Sequence, residues 1–409
     1  MKCRHCGSEV ALTFIDLGSA PPSNAYLTKL TMHRPEKWFP LKVLVCEVCW
    51  LVQAEAYSRA AELFNDEYAY FSSFSDIWLA HAEKYVQDMT ERFGLTTDSH
   101  VMEVASNDGY LLQYFKRNRI PCLGIEPTAG TAAAAHMKGI ETLEEFFGVN
   151  LAKRLAEQGK QADLIAANNV LAHAPDINDF SAGFTALLKP HGVATFEFPH
   201  LMHLIEKNQF DTIYHEHFFY LSFTTVVQVF NANGLAVFDV EELGTHGGSL
   251  RVFAQRKDEG SHPVSDKVGE LLNREAAAGM NRANYYQGFQ KYADKVKNDF
   301  LIFLLEAKRQ GKSVAAYGAA AKGNTLINYA GIRPDLISFV VDRNPAKQGK
   351  FMPGSRIPIV SEEQLQQQKP DYVVILPWNL KSEIVEQLDY IRAWNGRFVV
   401  AVPQLEVLS

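Results

Sequence analysis

Tyr214, His215, Glu216 and His217 are four consecutive side chains, each able to donate or accept a proton. Such a density of titratable groups, followed by Phe218, Phe219 and Tyr220, suits an enclosed catalytic site. On an extended backbone Tyr214 and Glu216 share one face, and His215 and His217 share the other. A helix or a turn would rearrange them. A surface or metal-binding histidine pair is the plainer alternative.

A second group of donors lies at the start. Cys3/Cys6 and Cys46/Cys49 form two C-x-x-C pairs. Each pair can sit on a tight knuckle, and two knuckles complete a four-thiolate zinc site. Four sulfur ligands leave no open position for water or substrate, so this metal is expected to be structural. Four unrelated reduced cysteines are the competing reading. A redox pair would need a neighbouring βαβ unit. Cys122 sits in an apolar stretch and is expected to be a buried core residue.

A third pattern begins near residue 98. His100-Val101-Met102-Glu103-Val104 reads as a short strand. Ala105-Ser106-Asn107-Asp108-Gly109 is a small-residue turn, and a helix follows from Tyr110. The strand Cys122-Leu123-Gly124-Ile125 ends at Glu126-Pro127, about 20 residues past the turn, where a carboxylate meets ribose hydroxyls in nucleoside-binding folds. G-x-G-x-x-G is absent, so a dinucleotide reading is weak. Acids at the ends of two strands around a small turn suit S-adenosylmethionine better. Ala105 fits that turn provided its φ is negative. Strand 163–167 runs into Asn168 and Asn169 and on to His173, which reaches the same strand-end crevice. A histidine that only packs is its alternative.

These groups need scaffolds. Alternating strands and helices predict a doubly wound parallel sheet, with ligands at the carboxyl ends of its strands. Residues 256–310 read as a helical connector, with apolar residues at helical spacing. A second α/β unit follows. It has a strand at 313–317, the turn Gly318-Ala319-Ala320-Ala321-Lys322-Gly323-Asn324-Thr325, and a strand Ile337-Ser338-Phe339-Val340-Val341 ending in Asp342. The turn is not a Walker loop, yet a helix start carrying a lysine attracts phosphate. The expected organisation is α/β throughout. Residues 1–57 form a zinc-binding β module and 58–255 a class I methyltransferase Rossmann-like domain with an N-terminal helical arm. Residues 256–409 form the connector and a C-terminal Rossmann-like α/β domain.

Composition narrows the function. With 409 residues, two to four domains are expected. Net charge is -7 and no long basic run occurs, so nucleic acid is not an expected partner. No apolar run is long enough for a membrane span and the start lacks a signal peptide's apolar region, so a cytoplasmic protein is expected; oligomeric state is open, with a monomer as the default.

Together the segments resemble one family. They are Asp16-Leu17-Gly18, Pro22-x-Asn24-Ala25-Tyr26-Leu27, the cysteine pairs, Glu103-x-x-Ser106-Asn107-Asp108-Gly109, Tyr214-His215-Glu216-His217 and His246-Gly247-Gly248-Ser249-x-Arg251. In that order the chain resembles the sugar C-methyltransferases of deoxysugar biosynthesis, of the tetronitrose C-3-methyltransferase type. Ala105 departs from the glycine usual in that family. The resemblance implies C-methylation of a nucleotide-linked 4-keto-deoxysugar, with S-adenosylmethionine and structural zinc. A base removes the proton beside the ketone, and the enolate attacks the cofactor methyl. It implies His217 as the base, with Tyr214 and Glu216 orienting the sugar or stabilising charge and His173 touching the enolate oxygen. Tyr68 joins the catalytic set. Tyr70 and Ser73 belong to a segment covering the cofactor, which is bound also by Glu103, Ala105, Ser106, Asn107, Asp108, Gly109, Glu126, Pro127, Asn168 and Asn169. The nucleotide-sugar is implied between the central and C-terminal domains, held by Asn24, His215, His246, Lys322, Gly323, Asn324, Thr325 and Asp342. Two other functions are open. One is a nicotinamide-dependent nucleotide-sugar oxidoreductase or epimerase; the other is a non-catalytic zinc scaffold.

Overall fold

The computed structural model describes residues 1–55, Tyr57 and 71–408. Tyr68 and Tyr70 lie outside the described residues. Three sheets organise the described residues.

The central sheet has seven strands. In spatial order they are Leu235–Leu243, Ser249–Arg256, Leu188–Pro199, Ala162–Asn168, Val101–Val104, Cys122–Ile125 and Thr142–Leu143. The last five run parallel and the first two are antiparallel additions. Val101–Val104 is buried along its whole length, as a strand covered on both faces must be. The helix Asp76–Phe93 packs beside this sheet. The Ser75 side chain accepts from the Trp78 amide to start it, and Gly94 ends it in the left-handed conformation.

The C-terminal sheet has six strands, in the order Ile359–Val360, Val340–Val341, Val314–Tyr317, Tyr372–Ile375, Arg397–Val400 and Glu406–Leu408. All pairs but the last are parallel. The expected connector resolves into helices Asp266–Ala278, Ala283–Tyr286 and Phe289–Arg309.

The N-terminal sheet is not built from the N-terminal module alone. Leu12–Ala20, Phe39–Val45 and Val52–Ala54 are joined by Phe219–Tyr220, which pairs with the third strand as Val52↔Tyr220 and Gln53↔Phe219. The strand directly after the Tyr-His-Glu-His segment thus completes the cysteine-bearing module. No helix among the described residues is long and apolar enough to cross a membrane.

Candidate active site

The parallel strands of the central and C-terminal sheets aim their carboxyl ends at one another. A cavity of about 620 Å³ lies between them. Val104, Ile125, Asn168 and Pro199 close it from the central sheet; Ala320, Ala321, Lys322, Pro377 and Asn379 close it from the other. This is the crevice where ligands collect in open α/β sheets.

Residues 214–217 form a turn rather than an extended run, because the His217 amide donates to the Tyr214 carbonyl at 2.9 Å. The expected face pattern therefore changes. Tyr214, Glu216 and His217 all reach the cavity. His215 turns away, with Nε2 on the Phe39 carbonyl at 3.2 Å. The Thr325 hydroxyl holds the segment from behind by donating to the Ile213 carbonyl at 2.9 Å.

His217 Nδ1 lies 2.9 Å from the Thr212 carbonyl, and His173 Nδ1 lies 2.7 Å from the Glu216 carbonyl. A carbonyl only accepts, so each Nδ1 carries the proton and the lone pair is on Nε2. The two rings are 4.7 Å apart. Burial holds His173 neutral, its pKa depressed to about 4. Burial, then the neighbouring His173, pushes His217 well below the usual imidazole range. His246, depressed to about 4 by burial and then Lys322, is a third neutral imidazole on the cavity. It occupies left-handed backbone at φ 54, and a side chain at Gly247 would collide with Gln209 and Trp378.

Glu216 accepts from the Asn24 amide at 3.3 Å and from Asn24 Nδ2 at 3.1 Å, all on Oε1. Its Oε2 is buried with no hydrogen-bond partner among the described residues, and burial raises its pKa. Asn24 itself lines the cavity, in a loop pinned to the C-terminal domain. Asn324 Nδ2 donates to the Ser23 carbonyl at 2.8 Å, and the Tyr26 hydroxyl donates to the Ala319 carbonyl at 2.6 Å.

At the central-sheet end, Ala105, Asn107, Glu126, Pro127, Asn168 and Asn169 line the cavity. The Glu126 carboxylate is fixed by the Asn107 and Thr128 amides, each at 3.0 Å. Both polar atoms of Asn168 are buried without a hydrogen-bond partner among the described residues. A fixed acceptor for ribose hydroxyls and an amide with free donor and acceptor capacity fit the adenosyl and amino-acid parts of S-adenosylmethionine. Ala105 departs from expectation: its φ is 58, in the left-handed region. Glu103, Ser106, Asp108 and Gly109 support the turn and are not cavity-lining. Burial drives the Glu103 carboxyl far above its ordinary range, partly offset by Tyr110. Asp108 pairs with Lys138 at 3.2 Å, and Ser73 accepts from the same ammonium at 2.6 Å.

At the opposite end Lys322 lines the cavity. Its Nζ donates to Asn379 Oδ1 at 3.2 Å and lies 4.5 Å from the Trp378 ring. Burial lowers its pKa, with Asp211 opposing. Trp378 Nε1 donates to Asp211, and burial raises that carboxyl to about 6. Gly323 lies off the cavity and packs against Leu376, where a Cβ would clash. Asp342 accepts from the Ala319 and Asn344 amides and shapes the loop instead of facing the cavity. Trp78 and Lys347 are among the lining residues that no sequence motif marks. Trp78 stacks on His81 at 4.8 Å and lies 5.3 Å from His246. Lys347 donates to the Ala319 carbonyl at 2.9 Å. Burial opposes the Lys347 charge, but Tyr26 and Asp342 outweigh it and raise its pKa.

The four N-terminal sulfurs all lie within 4.8 Å of one another. Cys3 and Cys49 are 3.5 Å apart, Cys6 and Cys46 3.6 Å. Zinc–sulfur bonds of about 2.3 Å in a tetrahedron need edges of about 3.8 Å, so the cluster fits a closed four-thiolate zinc site. Cys122 is only partly buried, its sulfur near the Leu112 carbonyl.

Family models cover the three parts of the chain. A zinc binding domain matches residues 3–64, a methyltransferase domain 78–240 and a C-methyltransferase C-terminal domain 244–403. C-methyltransferase NovU of Streptomyces niveus is 35% identical over 408 residues, covering 100% of this chain and 97% of that protein. The chain belongs to this C-methyltransferase family. It is an S-adenosylmethionine-dependent methyltransferase with a zinc module. Solved structures give weaker likenesses. Magnesium protoporphyrin IX methyltransferase (ChlM) from Synechocystis PCC 6803 with bound SAH is 12% identical over 44% of this chain and 83% of its own, with a TM-score of 0.35. The PH0226 protein of Pyrococcus horikoshii OT3 is 14% identical over 46% and 95%, with a TM-score of 0.39.

Proposed function

We propose that this methyltransferase adds a methyl group to a carbon beside the ketone of a nucleotide-linked 4-keto-deoxysugar. The observation that carries the reading is the pair of neutral imidazoles 4.7 Å apart, each with Nδ1 on a main-chain carbonyl, in a cavity that also holds Lys322. A carbon beside a ketone is a weak acid. It needs a positioned base and donors for the enolate oxygen.

His217 takes the proton through Nε2, the nitrogen left basic by the Thr212 contact. His173 has the same tautomer, so at neutral pH its Nε2 accepts and does not donate. It therefore holds a sugar hydroxyl, and the enolate oxygen is met by donors, Tyr214 and His246. Glu216, fixed by Asn24, orients the sugar through its open oxygen. Glu126, Asn168 and the 105–109 turn hold S-adenosylmethionine, which supplies an electrophilic methyl. Lys322, seconded by Lys347, meets the diphosphate. The zinc has no open ligand position and takes no part in the chemistry.

The test is solvent exchange. With S-adenosylhomocysteine in place of the methyl donor, the enzyme in heavy water exchanges deuterium into the carbon beside the ketone. Absence of exchange in enzyme that still methylates the same sugar refutes the base mechanism.

A further inference from the structure

We infer that Arg4, which follows the first zinc ligand and opens the knuckle turn, is a positioning residue that sets the separation of His173 and His217. The inference rests on His217 being the base.

Arg4 is gripped by the knuckle at its main chain. Cys3 precedes it and Cys6 follows two residues later. Its amide donates to Gln53 Oε1 at 3.1 Å, and Gln53 Nε2 in turn contacts Cys3 Sγ at 3.3 Å. Its carbonyl accepts from Asn178 Nδ2 at 3.3 Å. From this base the side chain reaches the strand that follows the catalytic turn. The guanidinium lies 5.0 Å from the Phe218 ring and 5.5 Å from the Phe219 ring, and Nη2 donates to the Ala54 carbonyl at 3.2 Å.

Those contacts meet at the joint between the two histidines. The Ala54 amide donates to the Phe218 carbonyl at 3.0 Å, and the Phe218 amide donates to the Ala172 carbonyl at 2.8 Å. Phe218 follows His217 and Ala172 precedes His173. One planar cation therefore holds the main-chain link that spaces the two rings, from an anchor fixed by metal. Arg4 Nη1 is buried without a hydrogen-bond partner among the described residues. An unsatisfied buried donor costs free energy, so stability alone does not explain an arginine here.

The experiment compares Arg4→Met, Arg4→Lys and His217→Asn in the full chain, with thymidine-diphosphate-linked 4-keto-6-deoxyglucose as probe sugar. Arg4→Met is expected to retain its zinc and to lose about ten- to a hundredfold in kcat, the scale of a misplaced reacting group. KM should change by less than about threefold, because uniform binding is untouched. Arg4→Lys, which keeps the cation over the rings, recovers part of the loss. Nitrogen-15 spectra of the histidines, recorded without substrate, should show the His173 and His217 signals displaced in Arg4→Met. Wild-type kcat and unmoved histidine signals in Arg4→Met, beside an inactive His217→Asn, overturn the inference alone. Wild-type turnover in His217→Asn overturns the base reading and this inference with it. Zinc loss that accounts for the whole rate loss in both Arg4 variants shows a purely structural residue and also overturns it.

Discussion

Replacing His217 by asparagine removes the basic nitrogen while keeping a donor for the Thr212 carbonyl. The wild-type bond is 2.9 Å from Nδ1, and an asparagine amide occupies nearly that position. What is lost in stability is ring packing. The His217 ring sits 4.0 Å from the Tyr214 ring and 4.7 Å from His173. Such contacts contribute about 0.5–1.5 kcal/mol beyond area burial, so a loss of about 1–2 kcal/mol in folding is expected. The catalytic loss is larger. A general base contributes about 10²–10⁴ in rate, or about 3–5 kcal/mol of barrier. The assay is single-turnover methyl transfer from labelled S-adenosylmethionine, with cofactor affinity measured separately by calorimetry. Cofactor affinity should stay near wild type, because the 105–109 turn and Glu126 are untouched. Turnover within about threefold of wild type would falsify the assignment. Equal losses in cofactor affinity and turnover would mean that the substitution had disturbed the cavity as a whole.

Four more predictions concern the scaffold and pH. Ala105 is held at φ 58, so Ala105→Gly relieves left-handed strain of about 1–2 kcal/mol against a chain-entropy cost of about 0.4–1 kcal/mol. Its urea midpoint should rise, and a fall would contradict the strain argument. Because burial depresses His217, turnover should stay on its plateau from pH 8 to about 6; an acid limb centred near 6.5 would mean that the base titrates as if exposed. His246, lowered from 6.5 to about 4, favours the folded state above pH 6.5, and this contribution is lost as pH falls through about 4. Asp211, raised from 3.8 to about 6, acts in the opposite sense: its contribution to the folded state is full below 3.8 and is lost as pH rises through about 6. His246→Gln should therefore have a shallower loss of stability between pH 7 and 5 than wild type, and an unchanged slope contradicts the assignment. Cys46→Ser should lower zinc content and the unfolding midpoint together, while zinc added to intact enzyme leaves the rate unchanged; a rate that followed added zinc would indicate an open metal site.

The parts legible in sequence are those set by local chemistry. Two C-x-x-C pairs carry their own ligand geometry, and the four sulfurs do converge. Val101–Val104 and Val314–Tyr317 stand where short apolar runs meet small-residue turns, and Cys122–Ile125 where such a run meets Glu126-Pro127. What was not legible depends on contacts distant in sequence. His215 leaves the cavity because the 214–217 turn is closed by its own hydrogen bond and because Phe39 offers a carbonyl 176 residues away. The Ile337-to-Val341 strand shortens to Val340–Val341, since only those residues find partners on both sides. Trp78, Lys347 and Arg4 carry no local signature; each reaches the cavity or its wall only through tertiary packing. Asn324 and Thr325 read as part of a phosphate-binding helix start, yet their side chains tie the Ser23 loop and the Ile213 backbone to the C-terminal domain.

The decisive measurement is the position of the transferred methyl. The enzyme would be mixed with S-adenosylmethionine carrying a carbon-13 methyl and a panel of nucleotide-linked 4-keto-deoxysugars, and the product examined by carbon-13 NMR. A labelled methyl coupled to a ring carbon beside the ketone, formed by wild type and absent with His217→Asn, is the predicted result. A labelled methyl on oxygen or nitrogen, or no transfer to any 4-keto sugar of the panel, would contradict it.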